Sequence, residues 1–159
     1  MNILRASFLT TLAAAALPAC AVPPATSGAP PDAQPDFATM TAVQPRSGKI
    51  GVPVDVRYQY AGTITAGQPV SLHIAVIPRV EGRNLKIELP RTAGLASGGR
   101  SPASAVFGKA AAADTLRYTV ELTPLAGAPD HVPLIVSMDV DGGHFFSVFP
   151  IPLAAAPIQ

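Results

Sequence analysis

Val70-Ser71-Leu72-His73-Ile74-Ala75-Val76-Ile77-Pro78 is the stretch on which the fold turns. Val70, Leu72, Ile74 and Val76 fall on every second position. An extended backbone gathers them on one face, whereas a helix would scatter them around its circumference. The intervening Ser71, His73, Ala75 and Ile77 are only partly polar, which places this strand near the centre of the core. Pro78 has no amide hydrogen to give a sheet and closes it.

The same period continues on both sides. Before it, Val52, Val54, Val56, Tyr58 and Tyr60 alternate with Pro53, Asp55, Arg57 and Gln59. After it, Leu85, Ile87 and Leu89 alternate with Lys86 and Glu88 up to Pro90. Thr92 to Ser104 has loop composition, a short strand is expected around Ala105 to Lys109, and Ala110 to Ala113 is too short for more than a turn. Leu116, Tyr118, Val120 and Leu122 make a further strand. Val132 to Val140 then alternates up to Asp141-Gly142-Gly143, whose residues favour positive φ and predict a hairpin returning through His144 to Leu153. Pro150 and Pro152 put the far end of that last strand at a sheet edge.

About seven strands in close succession, with no sustained helical stripe, predict an all-β fold: an antiparallel β-sandwich spanning Gly48 to Leu153 within a domain of residues 48–159. Leu72, Ile74, Val76, Tyr118, Val120, Leu134 and Val136 are the expected centre of its core. The pattern resembles immunoglobulin-like and fibronectin type III-like modules of exported bacterial proteins. There is no tryptophan and no cysteine pair, so the packed indole and disulfide of antibody domains are missing and the resemblance assigns no functional residue. What it implies is a module that binds proteins or glycans or acts as a spacer.

Upstream, residues 1–19 have the layout of a signal peptide. Arg5 supplies the positive charge, Ala6 to Leu17 the apolar run and Pro18 its end. The run is about 12 residues, short of the roughly 20 that cross a bilayer as a helix. Leu17-Pro18-Ala19-Cys20 resembles the lipobox of bacterial lipoproteins, with Pro18 in place of the usual small or β-branched residue. The resemblance implies cleavage before Cys20, the only cysteine, and attachment of lipid to it. Ala19-Cys20-Ala21 also fits an A-x-A site, cut after Ala21, which would release a soluble periplasmic protein. Residues 20–47 are rich in Ala, Pro, Thr, Ser and Gln and are expected to be a disordered, semi-rigid spacer. Phe37 and Met40 are its largest apolar side chains and its candidates to dock back on the domain.

Without the leader, ten basic residues balance ten acidic ones, since Arg5 is one of 11 and all 10 acids lie downstream. A neutral chain without clustered Lys and Arg is a poor fit to nucleic acid. Charged residues are 13% of the chain, against 18 prolines and 13 glycines, a balance that favours strands and turns.

Candidate chemistry is sparse. His73, His131 and His144 with Asp130, Asp139 and Asp141 do not form one metal cluster, because the strand from His131 to Val140 separates its ends by roughly 30 Å. Ser97 lacks the G-x-S-x-G spacing of a nucleophile elbow, and Gly98-Gly99-Arg100 is followed by no helix that could make a phosphate cradle. Asp139 and Asp141, the only close acidic pair, fall at the hairpin tip rather than across a cleft. No catalytic residue, metal or cofactor is therefore assigned, and the one site residue is Cys20. The expected function is that of a non-enzymatic lipoprotein, held at the outer membrane through Cys20 and binding a protein or glycan. The alternative is an accessory domain of an enzyme acting on cell-wall or other polysaccharide.

Overall fold

The computed structural model describes residues 35–46, 51–97 and 103–153. Among the described residues a 3-10 turn, Phe37–Thr39, precedes nine strands: β1 (Thr41–Val43), β2 (Val54–Tyr60), β3 (Val70–Pro78), β4 (Gly82–Glu88), β5 (Leu95–Ser97), β6 (Ser104–Ala110), β7 (Leu116–Pro124), β8 (His131–Val140) and β9 (Gly143–Pro152). They form two antiparallel sheets in the orders β1-β2-β3-β7-β5 and β6-β4-β8-β9. With the three-residue β1 and β5 set aside, seven strands remain, those expected from the alternation. Their pairings β2-β3-β7 and β4-β8-β9 are the A-B-E and C-F-G neighbours of an immunoglobulin-like sandwich, with β6 added beside β4.

The core lies between the sheets. Leu72, Ile74, Val76 and Val120 from one sheet meet Leu85, Ile87, Leu134, Val136, Phe149 and Ile151 from the other, all buried. Tyr118, also buried, completes the expected central set.

The two extra strands correct the reading of their segments. Thr41–Val43, placed by composition in the spacer, pairs with β2, so the sheet begins ahead of Gly48. Leu95–Ser97, inside the expected loop, pairs with the end of β7. Proline explains why β1 is so short. The bond from Arg79 N to Pro53 O fixes which β2 groups face β3, and leaves the backbone of Val54, Val56 and Tyr58 facing β1. After Val43 opposite Val56, the next bonded position opposite Val54 falls to Pro45, which has no amide hydrogen. The chain departs there and crosses to the other sheet, where Arg46 N donates to Val148 O at 2.7 Å.

Prolines are placed by the same logic in β8 and β9. Leu153 N donates to Asp130 O, and counting inward from that pair puts Pro133 opposite Pro150 and His131 opposite Pro152 at non-bonded positions. Neither facing proline interrupts the ladder. The hairpin closes through Asp141 (φ 48) and Gly142 (φ 78), both left-handed as a two-residue type I′ turn requires.

Candidate functional site

The outer faces of the two sheets differ in what covers them. On the five-stranded sheet, Ala75 lies between Arg57 and Arg117 and points away from the core, yet it is 0% exposed. Residues 35–40 form a strap over this face. Arg117 Nη1 donates to Pro35 O at 2.7 Å, Arg57 Nη1 donates to Phe37 O at 3.2 Å, and the Arg57 guanidinium sits 4.3 Å from the Phe37 ring centroid. Met40 is buried, and with Pro35, His73, Arg117 and Thr119 it encloses a small hollow. Asp36 caps the 3-10 turn by accepting from Ala38 N. His73 Nδ1 lies 3.0 Å from Thr119 Oγ1, and burial pushes its imidazole below the usual range.

The four-stranded sheet presents two outward rows. Val106, Lys86, Ser137 and Phe146 form one, and Ser104, Glu88, Ile135 and Val148 the other, each running from β6 across β4 and β8 to β9. Phe146 is 62% exposed and Val106 64%. Pro133 and Pro150 extend the apolar surface beyond the second row, toward the His131 end of β8. Lys86 Nζ and Glu88 Oε2 pair at 2.6 Å in the middle. Phe146 and Val106 stand at the two ends of the first row, on the edge strands β9 and β6, with Ser137 and Lys86 between them.

The hairpin end carries the polar groups. Between Arg83 and Lys86 the register of β4 against β8 slips by one residue, a bulge in which Asn84 takes φ 50. Gly82 permits the close approach there, since a Cβ would meet Met138 Sδ at 2.6 Å and Asp139 O at 2.9 Å. Asn84 Nδ2 donates to Asp139 Oδ2 at 2.8 Å, and His144 Nδ1 lies 2.7 Å from Asp139 Oδ1. These two bonds, Asn84's first, hold the Asp139 carboxyl below the usual range. Both of its oxygens already have partners, so it is a poor proton donor or base near neutral pH. Glu81 pairs with Lys109 at 3.3 Å, and together with Arg83, Asn84, Asp139 and Asp141 it lines an open hollow of about 570 Å³. A second open hollow, of about 380 Å³, lies where β1 leaves β2 and holds the Asp55–Arg79 ion pair. That pair lowers the Asp55 carboxyl.

The structure separates the histidines. His73 is under the strap, His131 lies 3.2 Å from Arg46 Nη1 at the Pro152 end of the last hairpin, and His144 is at its tip. Among the described residues no three His, Cys, Asp or Glu groups converge as metal ligands. Ser97 is exposed at the end of β5. Cys20 and Gly98-Gly99-Arg100 lie outside the described residues. Sequence reasoning missed Phe146 and Val106. The available signal was the adjacent pair Phe145-Phe146, since alternation turns one of two neighbouring rings outward. Compared with known proteins, the chain matches no family model and no curated protein.

Proposed function

We propose that this protein is a non-enzymatic lipoprotein of the bacterial envelope, attached to the membrane by lipid on Cys20, that binds another protein through the outer face of its four-stranded sheet. The observation that carries the binding role is the exposure of Phe146 and Val106, each more than half exposed, at the two ends of one outward row with Ile135 and Val148 in the next. Leaving such a surface bare costs solvation that a partner recovers, and its flat shape suits a protein better than a small substrate. The polar groups that could support chemistry are spread over an open hairpin tip instead of converging in a cleft.

Attachment rests on the sequence Leu17-Pro18-Ala19-Cys20 followed by a proline-rich spacer. Several acyl chains on one cysteine make membrane residence effectively permanent, at about 0.8 kcal/mol per buried CH₂. Ala21 as the second mature residue fits, by analogy with enterobacterial lipoprotein sorting, transfer to the outer membrane. Membrane fractionation with intact-mass measurement tests the anchor. The expected product starts at Cys20, carries lipid mass and sediments with membranes, and Cys20→Ala loses both properties. A parent protein starting at Val22, without lipid and in the soluble periplasmic fraction, would overturn it. The binding role is tested by pull-down from envelope extract, where Phe146→Asp should lose what the parent retains.

A further inference from the structure

We infer that the open edge of β6 is a self-association site, at which β6 of a second copy adds antiparallel about a two-fold axis at Val106 and joins the two four-stranded sheets edge to edge. The inference goes beyond the outer-face reading, because it concerns the backbone along one edge of the sheet.

The outermost strands of the two sheets are β1, β5, β6 and β9. Three of them offer little to pair with. β1 and β5 run three residues each. On β9 the phase set by Leu153 and Asp130 turns the backbone of Val148, Pro150 and Pro152 toward the open side, where the prolines have no N–H and Val148 O already accepts from Arg46 N. By contrast, β6 runs seven residues without a proline. Leu89 N donates to Ala103 O at 2.8 Å, so the backbone groups of Ala105 and Phe107 face β4 and those of Ser104 and Val106 face away. Among the described residues no strand pairs with β6 on that side. An edge of this length with its hydrogen bonds open is a template for another strand.

A second copy fits this edge because β6 is complementary to itself. Residues 104–108 carry no charge, so an identical strand brings no like charges face to face. Lys109, the strand's one charged residue, lies beyond that span and is held by Glu81 at 3.3 Å. With the axis at Val106, the two Val106 residues exchange N–H···O bonds, and Ser104 of each copy lies opposite Gly108 of the other. Gly108 leaves room for the approach, since nothing lies within 4 Å of where its Cβ would stand. The side chains agree with this register. On the outer face the two Val106 side chains, each 64% exposed in the single chain, cover one another. On the inner face Phe107 lies opposite Ala105 of the second copy, in both directions, a large residue against a small one and both half-buried at the rim of the core. Moving the axis to Phe107 would instead set Lys109 opposite Ala105. The contact is short, smaller than a standard interface, which points to a Kd of about micromolar. Confinement of lipid-anchored copies to one membrane raises their effective concentration and favours it.

Sedimentation equilibrium of the full-length protein in density-matched detergent tests this. The parent is expected to show a reversible monomer–dimer equilibrium. Val106→Pro removes an N–H that faces open solvent in the single chain and both bonds on the axis, and should weaken dimerisation by about tenfold or more while the fold is kept. Val106→Lys, which sets two like charges together on the axis, should do the same by a different route. Thermal melts matching the parent show that the variants are folded. Phe146→Asp, across the sheet on β9, should leave the dimer within about threefold of the parent. Register is read by oxidation in a Cys20→Ala background, where the introduced thiol is the only one. Val106→Cys should give a disulfide-linked dimer, since Cα atoms of a hydrogen-bonded antiparallel pair stand about 5.5 Å apart, and Phe146→Cys should not. A parent that stays monomeric at roughly 100 µM, well above a micromolar Kd, overturns the inference. A dimer that survives both Val106→Pro and Val106→Lys overturns it too. If Phe146→Asp dissociates the dimer, or Phe146→Cys cross-links where Val106→Cys does not, the copies meet through the sheet face and not through the β6 edge.

Discussion

The two outer faces of this sandwich are treated in opposite ways. Around Ala75 the five-stranded sheet turns Arg57, Gln59, His73, Arg117 and Thr119 outward, a largely polar surface. On the five-stranded sheet the chain covers it with its own residues 35–40, clamping main-chain carbonyls with Arg57 and Arg117 over a fully buried Ala75. On the four-stranded sheet Phe146 and Val106 remain more than half exposed. Recognition of the strap uses backbone carbonyls and one stacked ring, which an adjacent covalent segment can supply at little entropic cost. The other face offers side chains alone, and covering them is the role proposed for a partner.

The largest effect that tests this contrast compares two rings on β9. Phe149 faces the core and is 1% exposed, while Phe146, three residues earlier, faces out. Phe149→Ala should destabilise the fold by about 3–5 kcal/mol, read as a shifted urea midpoint. Phe146→Ala should stay within about 0.5 kcal/mol and act only on association. Equal losses at the two positions would mean that the outer face is packed on the chain itself.

A smaller effect distinguishes the clamp from the ion pair on the opposite face. Arg57→Ala with Arg117→Ala removes two hydrogen bonds and the stacking on Phe37, and should cost roughly 1–2 kcal/mol while opening residues 35–40 to protease. Lys86→Ala with Glu88→Ala removes an exposed pair and should cost no more than about 0.5 kcal/mol in the monomer. Limited proteolysis that cuts parent and arginine variant equally near Phe37 would show that the strap is not held.

How much of this was legible in the sequence follows from which forces act locally. Seven strands were readable because Val70 to Pro78 and its counterparts carry the inward–outward period in their own side chains. β1 and β5 were not. Three residues such as Thr41-Ala42-Val43 have no measurable period, and a neighbouring strand edge decides their conformation. The buried core was readable for the same reason as the strands. The outer row was not, since Val106 and Phe146 are 40 residues apart and only the registers of three strand pairs bring them into line. Phe37 and Met40 stood out as bulky residues in a proline-rich spacer. Their arginine partners did not, because Arg57 and Arg117 occupy outward positions where a basic residue ordinarily meets water.

The smallest expected effect is a pH dependence confined to the covered face. His73 lies on the outward side of β3 between Gln59 and Thr119, with Pro35, Met40 and Arg117 around it. Burial there lowers its pKa from the ordinary value near 6.5. The unfolded chain, where His73 is solvated, therefore takes up its proton at a higher pH than the folded chain does. Between the two values the unfolded state binds more protons, so stability rises with pH. The contribution is fully present above about pH 6.5 and is lost as the pH falls through the folded pKa. Melting temperatures across this range should fall with acidification in the parent and fall less in His73→Gln, whose amide keeps a partner for Thr119. The arginine clamp variant should also show a shallower slope, because without the strap His73 regains water and its pKa returns toward the ordinary value. A parent slope retained in both variants would place the titrating group elsewhere and remove His73 from the account of the covered face.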